Sequence, residues 1–313
     1  MTKIIDSFAT IPREEGPFAM MIGNYDGMHL GHQSLFQQLK KIAQSTHCKS
    51  VVVTFKNHPS LVLRPECPVQ LLCTFEHKVK LIEAQGIDVL IPLTFTKEFS
   101  HQTAEQFLNE VRKHCSFSHL ILGFDSVLGK DRHGDKPHLF KVAKEQGFSL
   151  TYLDEIKLDG EKISSSKIRE CIRQGNFDHA EKMLGRRYSI YTSIKSGEGL
   201  GKRIGFPTLN MDVGGLCLPP LGVYAVKVIH ENAMLDGVAN LGIAPTVRQN
   251  PEPILEVHLL ESVAKIDWIE VVFIQFLRPE IRFENIDRLK EQIGKDVEQA
   301  HNILAFYSKK RAN

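Results

Sequence analysis

The chain reads as an α/β protein in two parts, a parallel sheet covered by helices followed by an antiparallel barrel closed off with one helix. Three observations predict this. Short apolar runs alternate with helix-period segments through the first half, the alternation changes to Gly- and Pro-separated runs near Gly185, and a single amphipathic stripe ends the chain. A length of 313 residues also exceeds the ~100–200 of one ordinary domain, so two domains are expected, 1–185 and 186–313.

In the first half, Phe18–Ile22, Ser50–Phe55, Val89–Thr94, His119–Phe124 and Phe148–Leu153 read as buried strands. Between them Leu35, Phe36, Leu39, Ile42 and Ala43 share one helical face, as do Ala104, Phe107, Leu108 and Val111. Repeated strand–helix alternation predicts a parallel sheet covered on both faces. Ligands in such sheets bind beyond the carboxyl ends of the strands, which directs attention to the loops there. Helices are expected over Ser166–Gln174 and Phe177–Leu184.

Beyond Arg187, the runs Tyr188–Ile194, Val223–Ile229, Leu255–Leu260 and Glu270–Phe276 carry no long helical period, which predicts a closed or nearly closed antiparallel barrel. Ile286, Leu289, Ile293, Val297 and Leu304 form the apolar stripe of a last helix, expected to pack on that barrel.

Composition narrows the function classes. Lys and Arg number 39 against 37 Asp and Glu, a balance that makes no general electrostatic case for nucleic acid as a partner. Six dispersed cysteines without a C-x-x-C pair suggest neither a zinc site nor a disulfide framework. No apolar run approaches the ~20 residues that span a bilayer, so no membrane association is expected and a cytoplasmic location is.

The segment Gly23-Asn24-Tyr25-Asp26-Gly27-Met28-His29-Leu30-Gly31-His32 follows a strand and opens a helix. A helix N-terminus presents unpaired N–H groups and partial positive charge, which suits a phosphate. Gly27 and Gly31 remove side chains from its approach, and His29 and His32, three apart, can face the same anion. Two imidazoles there could stabilise charge on a phosphate under attack. Later, Ile163-Ser164-Ser165-Ser166-Lys167-Ile168-Arg169 offers hydroxyl and N–H donors at a helix start, with a cation one turn on.

In the second half, Gly197-Glu198-Gly199-Leu200-Gly201-Lys202-Arg203-Ile204-Gly205-Phe206-Pro207-Thr208-Leu209-Asn210 is a glycine-rich loop lacking the G-K-[ST] ending of a P-loop. Thr208 and Asn210, two apart, can both offer oxygen to Mg²⁺.

These segments together resemble a known family. The first is similar to the H-x-G-H signature of the nucleotidyltransferase superfamily, and Ile163–Arg169 to its I-S-S-T-x-I-R signature. Thr54-Phe55 with His58-Pro59 matches the T-F-x-x-H-P of the flavin branch, and the later loop resembles the riboflavin kinase pattern G-x-x-x-G-x-P-T-x-N. The resemblance is to the prokaryotic bifunctional riboflavin kinase/FMN adenylyltransferases and covers nearly the whole chain. It implies a Rossmann-like nucleotidyltransferase domain and a riboflavin kinase-like barrel, which convert riboflavin to FMN and FMN to FAD with ATP and Mg²⁺.

By that resemblance His29, His32 and Arg169 are catalytic in adenylyl transfer, and Glu256 is the base that activates the ribityl hydroxyl. Gly23, Tyr25, Asp26, Gly31, Asn57, His58, Asp125, Ser165 and Ser166 would bind nucleotide or flavin in the first domain. Gly199, Gly201, Gly205, Pro207, Thr208 and Asn210 would do so in the second, with Thr208 and Asn210 on the metal. The chain departs from the family's aromatic G-F-D-F-x-F-G loop at Ser126 and Leu128, and from its N-x-G-x-R-P-T stretch at Ala244. Three other readings are weighed: a riboflavin kinase whose first domain has lost or changed its acceptor, a different adenylyl or cytidylyl transferase or a class I aminoacyl-tRNA synthetase, and a flavin- or RNA-binding protein on this scaffold.

Overall fold

A computed structural model describes residues 1–10, 16–130, 134–195, 200–231, 233–243, 253–261 and 266–312. The chain forms two compact units, one of residues 1–71 and 78–165, the other of residues 72–77 and 166–313.

The first unit is built on a six-stranded parallel sheet: β1 Lys3–Ile4, β2 Phe18–Ile22, β3 Lys49–Phe55, β4 Val89–Leu93, β5 Phe117–Leu122 and β6 Ser149–Tyr152. The strands lie in the order β1-β4-β3-β2-β5-β6. After β2 the chain adds β3 and β4 on one side, then crosses to add β5 and β6 on the other. The sheet therefore reverses its direction of growth at β2, and the crevice beyond the carboxyl end of that strand is where such sheets receive ligands. β2 is buried along its whole length, as a central strand covered on both faces must be.

The helices of this unit are α1 Leu30–Ser45, α2 Ser60–Leu63, α3 Phe75–Glu83 (which starts within 72–77), α4 Lys97–Ser100, α5 Ala104–His114 and α6 Lys136–Gln146. Their ends carry local stops and starts. Thr103 and Gln106 form a reciprocal capping box on α5, Asp135 caps α6, and Gly147 ends α6 in the left-handed conformation. The sheet has a core on each face. Met20, Val53 and Ile91 pack with Phe107, Leu108 and Val111 on one side, and Met21, Val52 and Leu90 with Phe36 and Leu39 on the other. A two-stranded hairpin, β7 Lys157–Leu158 and β8 Glu161–Lys162, precedes the second unit.

The second unit opens with α7 Ser165–Arg173, whose first residue belongs to the first unit, and α8 Phe177–Leu184. The compact units part at Ser165/Ser166, twenty residues before the change of sequence pattern at Gly185. The physical reason is that α7 and α8 belong to the barrel's core: Phe177 stacks on Phe273 at 5.6 Å, and the Cys217 thiol donates to the Arg169 carbonyl at 3.6 Å. Residues 72–77 join the same unit, where the Thr74 hydroxyl donates to the Tyr191 carbonyl at 2.7 Å.

The barrel comprises β9 Ser189–Lys195, then α9 Leu200–Ile204, β10 Leu209–Asp212, β11 Gly222–His230, β12 Ala233–Ile243, β13 Pro253–Leu259 and β14 Trp268–Arg278. All pairings are antiparallel, and the order β10-β13-β12-β11-β14-β9 closes because β9 also pairs with β10. Helix α10, Ile286–Ala312, seats Ala300 and Leu304 against Val223, Ala225, Val238 and Ile274 on the barrel's outer wall. The expected stripe faces the barrel at four of its five positions: Leu304 is buried in the cluster, Val297 packs against it, and Leu289 and Ile293 line a cavity with barrel residues, whereas Ile286 at the helix start stays exposed.

Periodicity did not anticipate β12 or β10. Asp236, Gly237, Asn240 and Gly242 are poor strand formers in isolation, and β12 exists because β11 and β13 supply hydrogen bonds along both of its edges.

Candidate functional site

In the first unit the turn from β2 into α1 is built from strained backbone. Three φ-positive residues among four, Tyr25 at 51°, Gly27 at 77° and Met28 at 42°, bend the chain from β2 into α1. Two of these are not glycine, and left-handed conformations at such residues cost ~1–3 kcal/mol each unless the surroundings hold them.

His29 caps α1: the His32 backbone N–H donates to its Nδ1 at 3.3 Å. That bond makes Nδ1 an acceptor, so in the neutral ring Nε2 carries the proton. The His29 and His32 rings stack, with centroids 3.6 Å and planes 18° apart. A Cβ on Gly31 would lie 3.1 Å from His29 Nδ1, a tight approach that the His29 ring would have to yield to by a few tenths of an ångström.

His32 Nδ1 is buried and makes no hydrogen bond among the described residues. Burial, then the adjacent His29 and Lys78 charges, hold the His32 pKa well below its ordinary value. The ring is therefore neutral at physiological pH. A buried polar atom left unsatisfied by the fold calls for a partner such as an ordered water or a ligand. The Ser165 hydroxyl donates to the Asp26 carbonyl at 3.0 Å, bringing the start of the second signature onto the first loop.

The other sequence-singled residues of this unit divide. Tyr25 is a core residue, its ring edge-on to both His32 and Phe36, so it supports the histidine from below. Gly23 is needed by that ring, since a Cβ there would lie 2.6 Å from it. Asn57 spends its amide on the backbone, donating to and accepting from Phe95 at 2.9 Å each way. His58 Nδ1 accepts from the Ser60 N–H at 3.1 Å, which leaves Nε2 to carry its proton. Asp125 is exposed and pairs with Lys162 at 3.0 Å. Arg169 lies on α7 in the second unit and is buried.

A cavity of about 450 Å³ lies in the same unit, lined by Gly23 and Asn24 on one side and by Phe55, Phe95 and Phe99 on another. These three rings pack with centroids 5.3–5.5 Å apart. Ser126 and Leu128 line it too, at the loop where the aromatic pattern is interrupted. The cavity is thus aromatic after all, through Phe95 and Phe99, which come from a segment that no sequence motif singled out.

In the barrel, strand register assembles the second set. Asn210 of β10 and Asn240 of β12 both stand opposite Glu256 of β13, so the three form one cross-strand row. Side chains in such a row point to the same face, and this face is the outer wall toward α10, since Val223 pairs with Asn240 and belongs to the α10 cluster. Thr208, two residues before Asn210, shares the face. Thr208, Asn240, Glu256 and His258 line a cavity of about 270 Å³, along with Leu289 and Ile293 of α10.

The glycine-rich loop closes one end of this cavity. A Cβ on Gly201 would lie 2.3 Å from the Phe206 carbonyl oxygen, and Gly205 turns with φ at 92°. Pro207 offers its carbonyl to the His258 ring at 2.8 Å. Gly199 and Ala244 lie outside the described residues. Opposite the loop, Arg278 holds Asp296 of α10 through Nε and Nη2, a pair the sequence reading missed because eighteen residues and a helix boundary separate them.

Thr208 and Asn210 present neutral oxygens on one face beside a carboxylate, a donor set that suits a hard cation such as Mg²⁺ sharing its shell with phosphate oxygens. Among the described residues no cluster of three or more His, Cys, Asp or Glu offers an all-protein cage. No described helix is long and apolar enough to cross a membrane.

Comparison with known proteins agrees with both halves. Residues 11–167 match the family model described as FAD synthetase, and residues 184–304 match that described as riboflavin kinase. A bifunctional riboflavin kinase/FMN adenylyltransferase of Haemophilus influenzae is 35% identical over 90% of this chain and 92% of its own. Those of Listeria monocytogenes and Escherichia coli K12 are each 33% identical, over 93% and 88% of this chain and 92% and 90% of theirs. A crystal structure described as a macrolide-efflux protein from Streptococcus pneumoniae superposes with a TM-score of 0.79 at 25% identity, covering 96% of this chain and 99% of that one. With both family models matched in order and relatives at this identity spanning nearly the full length, the chain belongs to the bifunctional riboflavin kinase/FMN adenylyltransferase family.

Proposed function

We propose that the barrel phosphorylates riboflavin to FMN and that the parallel-sheet unit joins FMN to the AMP moiety of a second ATP, giving FAD and pyrophosphate. The observation that carries this reading is the pairing, within each unit, of a phosphate-handling set with an apolar cavity. His29 and His32 stand at the head of α1, and Gly23 and Asn24 just before them line the aromatic cavity; Thr208 and Glu256 line the cavity of the barrel.

In the kinase step the ribityl oxygen attacks the γ-phosphorus of ATP, its proton passes to Glu256, and the bond from phosphorus to the bridging oxygen breaks to release ADP. Such transfer asks chiefly for positioning and charge neutralisation, with a carboxylate within reach of the nucleophile. Asn210 and Asn240 hold Glu256 in register from both sides. Mg²⁺, held by Thr208 and Asn210, would neutralise the phosphate oxygens.

In the adenylyl step a phosphate oxygen of FMN attacks the α-phosphorus and pyrophosphate leaves. The nucleophile is already an anion, so no base is required. His29, with its proton on Nε2, and neutral His32 serve as donors to the charge gathering on the α-phosphate, alongside the N–H groups at the head of α1. The three phenylalanine rings about the 450 Å³ cavity suit a flat, largely apolar ring system. This supports FMN as the acceptor despite Ser126 and Leu128.

Arg169, Ser165 and Ser166 are assigned to the β- and γ-phosphates on motif grounds. A cytoplasmic location fits the substrates, which are intracellular nucleotides and flavins. The test is chromatographic: purified chain with ATP and Mg²⁺ is given riboflavin or FMN separately. Riboflavin yielding FMN and FMN yielding FAD upholds the reading, whereas FMN accumulating without FAD transfers the case to a kinase-only protein.

A further inference from the structure

Lys78 is the buried cation of the first unit that no motif singled out, and it sits where the strained turn leaves the sheet. Its ammonium donates to the Phe55 carbonyl at 2.6 Å and to the Asn24 carbonyl at 3.2 Å. Phe55 is the last residue of β3, and Asn24 lies two residues beyond the end of β2. One side chain from α3 therefore ties together the carboxyl ends of the two central strands, at the point where the sheet reverses its growth. The Asn24 carbonyl also accepts from the Thr54 hydroxyl at 3.2 Å, and the Gly23 N–H donates to the Val53 carbonyl at 3.1 Å. Asn24 and Phe55 are both walls of the 450 Å³ cavity, and Tyr25, the first of the φ-positive residues, follows Asn24 directly.

We propose that Lys78 is a positioning residue for adenylyl transfer, which anchors the strained turn carrying His29 and His32 and keeps a fixed positive charge beneath the phosphate site. This rests on the assignment of that site to FMN adenylylation. The anchor holds the residue directly before φ-positive Tyr25. A lysine only 6% exposed is costly to bury, and its charge adds, after burial and His29, to what keeps His32 neutral. Among the described residues, the titratable groups that bear on His32 include His29 stacked on it, Tyr25 in a T-shaped contact with it, and Lys78. A neutral His32 donates without competing for the cation's role. An incoming triphosphate then meets the field of the Lys78 ammonium.

Two substitutions separate charge from tether. Lys78→Gln keeps an N–H donor and loses the charge; Lys78→Arg keeps the charge. Both are measured in the full chain for FAD formation from supplied FMN, and His32 is titrated by NMR with labelled histidine. Lys78→Gln is expected to lower kcat for FAD formation at least tenfold and to raise the pH at which His32 titrates. Riboflavin phosphorylation should stay within twofold and serves as the check on the rest of the chain. Lys78→Arg should keep kcat within about threefold and leave His32 titrating as in the parent.

Equal losses in the two variants, an unchanged His32 titration in Lys78→Gln, or FAD formation within twofold of the parent would each overturn the proposal. If Lys78→Gln fails to fold, Lys78→Arg decides alone, since loss of FAD formation or a shifted His32 titration there contradicts the role of the charge. Should the adenylylation assignment itself be wrong, His32→Ala would leave FAD formation intact in the same assay, an outcome separate from any behaviour of Lys78.

Discussion

Arg278 and Asp296 form a two-pronged ion pair, Nε to Oδ1 at 2.9 Å and Nη2 to Oδ2 at 2.7 Å, which ties the last barrel strand to the C-terminal helix at the wall of the kinase cavity. Gln292 donates a further bond to Asp296 at 2.9 Å, and the carboxylate is almost fully buried. Removing one partner of a buried pair strands the other, at a cost of about 3–5 kcal/mol. Asp296→Ala should lower stability by that order in denaturant unfolding and reduce riboflavin phosphorylation. A change under about 1 kcal/mol would mean that α10 is held by its apolar seat alone.

The two sites should fail independently. His32→Ala is expected to reduce FAD formation from FMN by about 100-fold, in line with losing a donor aimed at developing charge, with riboflavin phosphorylation within twofold. Asn210→Ala should do the opposite. Separate assays with each flavin measure both, and loss of both activities from either change contradicts two independent sites.

Glu256→Gln preserves shape and hydrogen bonding but cannot take the hydroxyl proton. Phosphorylation should fall by about 10²–10⁴-fold in kcat, while the melting temperature moves by no more than a few degrees. A Gln variant that retains kcat would assign Glu256 to the structure of the Asn210–Glu256–Asn240 row instead.

The lowered His32 pKa also bears on stability. Between that folded-state value and the ordinary ~6.5, the unfolded chain binds more protons than the folded one. Stability is therefore full above about pH 6.5, declines as pH drops below it, and stops declining from this cause once pH passes below the folded-state value. Thermal unfolding from pH 7.5 to 5.0 should show this decline in the parent chain and a smaller one in His32→Gln.

Gly23→Ala tests the packing beneath the histidines. The new methyl would meet the Tyr25 ring at 2.6 Å, and a clash of that kind costs about 1–3 kcal/mol. The melting temperature should fall, and FAD formation should drop more than riboflavin phosphorylation because Tyr25 supports His32. Equal effects on the two activities would argue that the ring relaxes without disturbing the pair.

The buried strands were legible in the sequence because a central parallel strand must be apolar on both faces, as Phe18–Ile22 is. The histidine pair was legible because its spacing acts within one turn of one helix. A glycine required by a neighbour in the chain, such as Gly23 against Tyr25, is likewise a local matter. Tertiary structure alone decided the rest. Phe95 and Phe99 join Phe55 across forty residues, Asn240 meets Glu256 only through strand register, and Lys78 reaches the ends of β2 and β3 from a helix between β3 and β4. It also assigned α7 and α8 to the barrel, which their sequence pattern does not show. The division follows the range of the forces. Periodicity and capping are set by neighbours a few residues apart, whereas cavities, cross-strand rows and buried cations depend on which distant segments the packed core brings together.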